Sequence, residues 1–262
     1  MRCRDRNEPF RSSRETIMKP FVTDLMDFIY PPVCAVCAAA LERSDSWNLC
    51  PGCRSGIAYL EPPLCTRCGR PFAHEPRFEH LCGECITRPR HYRHARAVGH
   101  YRGTLRSALH LLKYRLKLPL APTLGSIMTE RLPFIEAEWN YGLIVPVPLH
   151  PRRLRGRGFN QALYLAASLS RHLGVPLDRF NLKRTRRTQS QVGLSETQRA
   201  SNVKGAFAVS RPQTISNKTI LLIDDIYTSG STVDECSRVL VGAGAEAVDV
   251  LTLARVSERG LS

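Results

Sequence analysis

What the chain lacks narrows its class first. No apolar run approaches the roughly 18–20 uncharged residues that a membrane-spanning helix requires, so no membrane span is expected. Met1 to Lys19 mixes arginine with aspartate and glutamate and holds no apolar core of the kind a secretory signal needs. The segment 1–19 therefore reads as a disordered tail, with Met18 a candidate initiator, and the chain reads as cytoplasmic. No G-x-x-x-x-G-K-[ST] occurs, which removes the main support for a nucleotide-hydrolase site. Acidic residues are scarce, 23 against 38 lysines and arginines, and the net charge is +15. Between His150 and Arg211 thirteen basic residues face only Asp178 and Glu196. A field of that sign attracts polyanions, whether phosphates of a small ligand or of nucleic acid. A solvated basic face without a partner is the plainer alternative. Aromatics near that window (Phe159, Tyr164, Phe180, Phe207) are few and mostly read as core, so no stacking platform for a single strand is evident.

Ten cysteines are present, and eight fall into four Cys-x-x-Cys pairs: Cys34/Cys37, Cys50/Cys53, Cys65/Cys68 and Cys82/Cys85. Without an export signal, that pattern points to metal and away from disulfides. The two-residue spacing lets a tight knuckle aim two thiolates at one ion, and tetrahedral zinc needs two such pairs. Four pairs supply two closed, structural Zn2+ sites. Consecutive pairing is the simplest arrangement and a crossed one is also open. Gly69 directly follows Cys68 and Gly83 directly follows Cys82, and each would ease the turn there. A module this poor in apolar core depends on its metal for folding. Cys236 reads as a buried helix residue and Cys3 as part of the tail.

Residues 20–30 carry a short helical pattern ended by Pro31-Pro32 and lead into the cysteine pairs, giving a zinc-ribbon module over 20–90. Strand and helix signals then alternate over 95–257. Helices are expected from Leu105 past Leu112, from Pro119 to Leu132, from Phe159 to Leu173 with Gly174 as its stop, and from Ser231. Strands are expected at Leu143–Leu149 with an irregular, proline-forced exit, at Thr219–Ile226, and at Ala247–Val256. That alternation implies an α/β fold, a mainly parallel sheet with helices on both faces.

The stretch ILLIDDIYTSGST, residues 220–232, carries the chemistry. A buried strand delivers Asp224 and Asp225 to its C-terminal end, where open α/β sheets place ligands. The loop Thr228, Ser229, Gly230, Ser231, Thr232 then enters a helix, and its amides and hydroxyls form an anion cradle. Two carboxylates beside a phosphate repel it unless they hold something else, and ribose hydroxyls suit them. A phospho-acceptor receiver would carry its acid pair after the first strand, not near the C-terminus.

These residues resemble the phosphoribosyl pyrophosphate signature of type I phosphoribosyltransferases. With VPVPLHPRRLRGRGFNQA (145–162), LKRTRRTQSQVGL (182–194), QRASNVKGAF (198–207) and LKY (112–114), residues 25–256 resemble the ComF family of competence-associated proteins. The resemblance implies that Asp224 and Asp225 hold the ribose and act in catalysis, and that Thr228 to Thr232 hold the 5′-phosphate. It implies further that the turn after Pro148, with Arg152, Arg153, Arg155 and Arg157, faces the pyrophosphate and its Mg2+. Arg184 to Arg199 would be a mobile flap. Ser229 stands where a second threonine is usual, and the segment after Tyr114 lacks an expected glycine. The acceptor is not legible. Implied partners are phosphoribosyl pyrophosphate, single-stranded DNA and competence or DNA-processing proteins. A regulator that retains the ligand site without turnover is the alternative.

Overall fold

The computed structural model describes residues 31–42, 47–72, 80–115, 117–135, 140–188 and 195–256. The expected tail, Met18, Cys3, the helix at 20–30 and positions 189–194 of the expected flap lie outside the described residues. Two short helices belong to the cysteine-rich part, α1 (Pro51–Ser55) and α2 (Gly83–Thr87). Then follow β1 (Ala95–His100), α3 (Gly103–Arg115), α4 (Leu120–Glu130), β2 (Leu143–Pro146), α5 (Pro151–Arg157) and α6 (Gln161–Leu173). The last part runs β3 (Leu182–Arg184), α7 (Glu196–Val203), β4 (Phe207–Val209), β5 (Thr219–Tyr227), α8 (Ser231–Gly242) and β6 (Ala247–Arg255).

Four strands form one parallel sheet in the order β1-β6-β5-β2, and β3 pairs with β4 in an antiparallel ribbon apart from it. Alternation along each strand sorts side chains between two cores. Ile144, Leu221, Ile223, Leu251 and Leu253 join α3, α4 and α6 on one face through Leu109, Leu124 and Leu165. Leu143, Val145, Ile220, Leu222 and Val250 join α8 on the other face through Val233, Cys236 and Leu240. Each such leucine withdrawn from water contributes about 1.5–3 kcal/mol. β6, flanked by β1 and β5, is buried on both faces from Val248 to Arg255. Helices α4 and α6 cross closely at Gly125, where a Cβ would stand 2.7 Å from the Ser168 Cβ.

The cysteine-rich part straddles the β1 edge. Cys34, Leu49 and Ile57 pack into the core of one face, whereas Cys65, Cys68, Cys82, Cys85 and Tyr92 pack into the core of the other. Between them the chain covers β1: Leu60 N donates to Val98 O at 3.0 Å and His100 N to Ala58 O at 2.8 Å. At the opposite edge Ile144 N donates to Pro176 O and Asp178 N to Ile144 O, at 2.8 and 2.9 Å. Neither edge of the sheet is left bare. Among the described residues no helix is long and apolar enough to cross a membrane.

Most expected elements stand near where the periodicity placed them, with α6 starting at Gln161 instead of Phe159 because Asn160 caps it. The exit from β2 is not merely irregular. It winds into α5, with the His150 side chain accepting from Arg152 N, Pro151 in the first turn and Gly158 at φ 79 closing it.

Candidate functional site

The two halves of the cysteine-rich part repeat one arrangement. A hairpin knuckle presents the leading pair: Cys34 N donates to Ala39 O at 2.7 Å, and Cys65 N to Arg70 O at 2.8 Å. The trailing pair rides on a short helix, Cys50 capping α1 and Cys82 capping α2. Cys34, Cys37, Cys50 and Cys53 thus meet in one cluster and Cys65, Cys68, Cys82 and Cys85 in another, the sulfurs of each within 4.8 Å of one another. Consecutive pairs share a site; the crossed arrangement is not adopted. Cys37 Sγ lies 3.6 Å from Cys50 Sγ, and Cys68 Sγ lies 3.6 Å from Cys82 Sγ. Bonds of about 2.3 Å to a tetrahedral zinc place sulfurs about 3.8 Å apart, so the donor sets fit that ion. The Cys68 side chain holds the Cys65 thiol down to about 4, while burial pushes Cys85 up to about 12. Thiols crowded this closely ionise together only around a cation.

The turn glycines behave differently from one another. Gly69 adopts φ +68 and lies so close to β1 that a Cβ would stand 2.5 Å from Ala95 O. Gly83 has no positive φ and open space around it, because it sits in the first turn of α2; it does not serve the turn expected of it. The matching position in the first knuckle is Ala38, held at φ 61.

The second site is a cavity of about 310 Å³ at the C-terminal ends of β2 and β5. That volume sits at the lower end of the ~300–1,000 Å³ typical of small-molecule sites. Asp224, Asp225, Thr228, Gly230 and Thr232 line it, as do Arg153 and Arg157. Ser229 and Ser231 do not line it; their hydroxyls meet at 2.9 Å. Arg152 and Arg155 stand on the exposed face of α5, outside the lining. Gly230 caps α8 at φ +77, and a Cβ there would collide with the Tyr227 ring and hydroxyl packed beneath it. That ring is pinned: its hydroxyl lies 2.7 Å from the Tyr92 hydroxyl, and the Arg255 guanidinium covers it at 4.2 Å. Arg255 in turn donates to Cys68 O at 2.7 Å, so the loop rests on a chain of contacts that ends at the second cysteine cluster.

The acid pair is not bare. Lys113, from α3, places its Nζ 2.7 Å from Asp225 Oδ2. Burial works against the Lys113 charge, but the Asp225 carboxylate, with Asp224 adding to it, raises its pKa. Burial and the neighbouring Asp225 carboxylate push Asp224 up to about 7, although Asp224 Oδ1 accepts from Asp225 N at 2.8 Å. Lys113 was part of the LKY motif, yet sequence reasoning gave it no role. Nor did it single out Tyr101, Asn160 or Gln161, which also line the cavity. The available signal was the cluster GFNQA directly after the arginines. Arg184 and Arg199, expected in a flap, both line the cavity. Arg184 is buried against the Phe207 ring on the β3–β4 ribbon.

A double zinc ribbon domain matches residues 25–86, and a phosphoribosyl transferase domain matches residues 160–261. The chain is 34% identical over 231 residues to the DNA utilization protein YhgH of Escherichia coli K12, covering 86% of this chain and 97% of that one. It is 32% identical over 233 residues to competence protein F of Haemophilus influenzae, covering 85% and 96% respectively. Among solved structures, a glutamine phosphoribosylpyrophosphate amidotransferase from B. subtilis shares 18% identity over 50% of this chain and 25% of its own, with a TM-score of 0.35, a likeness too loose to inform the site. Full-length relatives and both domain matches agree with the paired cysteine clusters and the parallel sheet: the chain belongs to the ComF family, in which a double zinc ribbon precedes a phosphoribosyltransferase domain.

Proposed function

We propose that this protein binds phosphoribosyl pyrophosphate in the cavity at the end of β5, and that it serves DNA utilization and competence, the roles that the names of its relatives give them. The observation that carries the ligand is the meeting of Asp224 and Asp225 with Thr228, Gly230 and Thr232 around one cavity. In this reading the carboxylates accept the ribose hydroxyls, and the loop amides at the start of α8 take the 5′-phosphate. Arg153 and Arg157 face the pyrophosphate.

Magnesium would arrive with that pyrophosphate. The carboxylates and loop hydroxyls offer the oxygen donors a hard cation prefers. Lys113 already holds one oxygen of Asp225, which leaves Asp224 the freer of the two. When bound, the ion would neutralise charge on the pyrophosphate. The chemistry proposed is glycosyl transfer. An acceptor forms a bond to the anomeric carbon, the bond to the pyrophosphate oxygen breaks, and the departing charge is met by arginines already in place.

Calorimetric titration with phosphoribosyl pyrophosphate and magnesium tests the site. Asp224→Asn with Asp225→Asn is expected to abolish binding, and undiminished affinity in that double variant sinks the assignment. A screen for pyrophosphate release across nucleobases and amines tests turnover.

One observation favours a second reading, a module that handles single-stranded DNA without turnover. Arg152 and Arg155 are exposed on α5 and lie outside the cavity lining, so the ligand does not account for them. Single-strand affinity measured against salt, with and without phosphoribosyl pyrophosphate, separates the readings. Competition by the ligand would count against a separate nucleic-acid surface.

A further inference from the structure

Gln161 opens α6, a helix of 13 residues, and is only 2% exposed. Its Oε1 accepts from Arg157 NH1 at 3.0 Å. A guanidinium has donors only, so that contact fixes which way the amide faces: oxygen to Arg157, Nε2 away from it. Gln161 Nε2 is buried and has no hydrogen-bond partner among the described residues, and the residue belongs to the cavity lining. Arg184 Nε, in the same lining, is a second buried donor without a partner among the described residues. Buried donors are nearly always satisfied, so two of them on one cavity call for an acceptor-rich occupant.

The charge around them sets the class of that occupant. Arg157 touches the amide, Arg153 and Arg184 share the cavity lining with it, and the positive end of the α6 dipole adds to their field. The start of α6 is also held in register with the sheet. Asn160 Oδ1 accepts from Ala162 N at 3.1 Å, and Asn160 Nδ2 donates to Val147 O at 3.0 Å. A neutral base would leave three guanidinium groups without a counter-charge, whereas a phosphoryl group satisfies both donors and cations.

We infer that Gln161 is a binding residue for the pyrophosphate end of the ligand, its Nε2 donating to a phosphoryl oxygen at the start of α6 while Arg157 fixes its orientation. This rests on the proposed binding of phosphoribosyl pyrophosphate, and it makes the cavity a site with two helix starts: α8 for the 5′-phosphate, α6 for the leaving group. It also assigns the GFNQA segment a task that the preceding arginines alone do not perform.

The test uses the full zinc-loaded chain and three probes: ribose 5-phosphate, inorganic pyrophosphate, and phosphoribosyl pyrophosphate. Gln161→Leu removes the donor. Gln161→Glu keeps an oxygen for Arg157 and replaces the donor by a like charge, so it decides the question alone if the leucine variant does not fold. Both variants are expected to lose at least about tenfold in affinity for pyrophosphate and phosphoribosyl pyrophosphate, the loss of one charge-assisted hydrogen bond. Affinity for ribose 5-phosphate is expected to stay within about twofold, since that probe carries no pyrophosphate. Equal losses for all three probes, or unchanged pyrophosphate affinity, overturn the inference and leave the proposed function standing. Wild-type protein that binds none of the probes overturns both.

Discussion

At the residue scale, Asp224 has the most to report. Its carboxyl is pushed up to about 7 from 3.8 by burial and by Asp225. The folded protein therefore holds that proton more tightly than the unfolded chain between about pH 4 and 7, and its contribution to stability declines as pH rises across that window. Ligand binding runs the other way, because ribose hydroxyls need an ionised acceptor. Affinity for phosphoribosyl pyrophosphate is expected to rise between pH 6 and pH 8, and Asp224→Asn should flatten that rise as well as weaken binding; titrations at several pH values read both. Ala38 offers a second case. It adopts φ 61 where its counterpart Gly69 adopts φ +68. Ala38→Gly is expected to stabilise the zinc-loaded protein by about 0.5–1 kcal/mol in denaturant melts. Gly69→Ala should instead drive the ribbon off Ala95 and lower the melting midpoint. Asp224 and Asp225 were legible because a buried strand that ends in two acids has few other uses. Lys113 was not, since its partner Asp225 lies more than a hundred positions away and only the folded sheet brings them together.

Elements were legible in proportion to how much of their order is local. β5 announces itself by a continuous apolar run, and α6 and α8 by apolar periods with glycine at their ends; all three stand close to where expected. α5 was hidden by its composition, since PRRLRGR buries no residue and has no periodic face to read. Its signals were the cap at His150, Pro151 and Gly158. α7 begins inside the segment Arg184 to Arg199 read as a flap and runs past it, yet Ser195 and Gln198 form a complete capping box at its start. Ser195→Ala is expected to cost about 1 kcal/mol, seen as a lower midpoint in thermal melts. Because α7 carries Arg199 into the cavity lining, the same variant should also weaken ligand binding modestly. The β3–β4 ribbon was unreadable for another reason. Its three-residue strands are separated by more than twenty positions, too short and too far apart for periodicity to show.

For the whole molecule, the two cysteine clusters are part of the sheet's packing, because each contributes to the core on a different face. Chelation is therefore expected to lower the melting temperature of the entire chain in one transition. A separate early transition confined to residues 31–90, followed by an unchanged second one, would contradict this coupling. Ligand affinity should fall with the metal as well, since Cys68, Arg255, Tyr227 and Gly230 form one run of contacts. This coupling was outside the reach of the sequence, which gave the cysteine pairs and the sheet as neighbours in order without showing that one grips the other. The segment Ala58–Leu60, which bridges to β1 at Tyr59 and Gly99, has a further consequence. Stripped of zinc, that flank would present a row of unpaired amides and carbonyls, a ready template on which a sister chain can add its own backbone. Metal starvation would then end in clumping as well as unfolding, which ties the shelf life of this protein to the zinc in its surroundings.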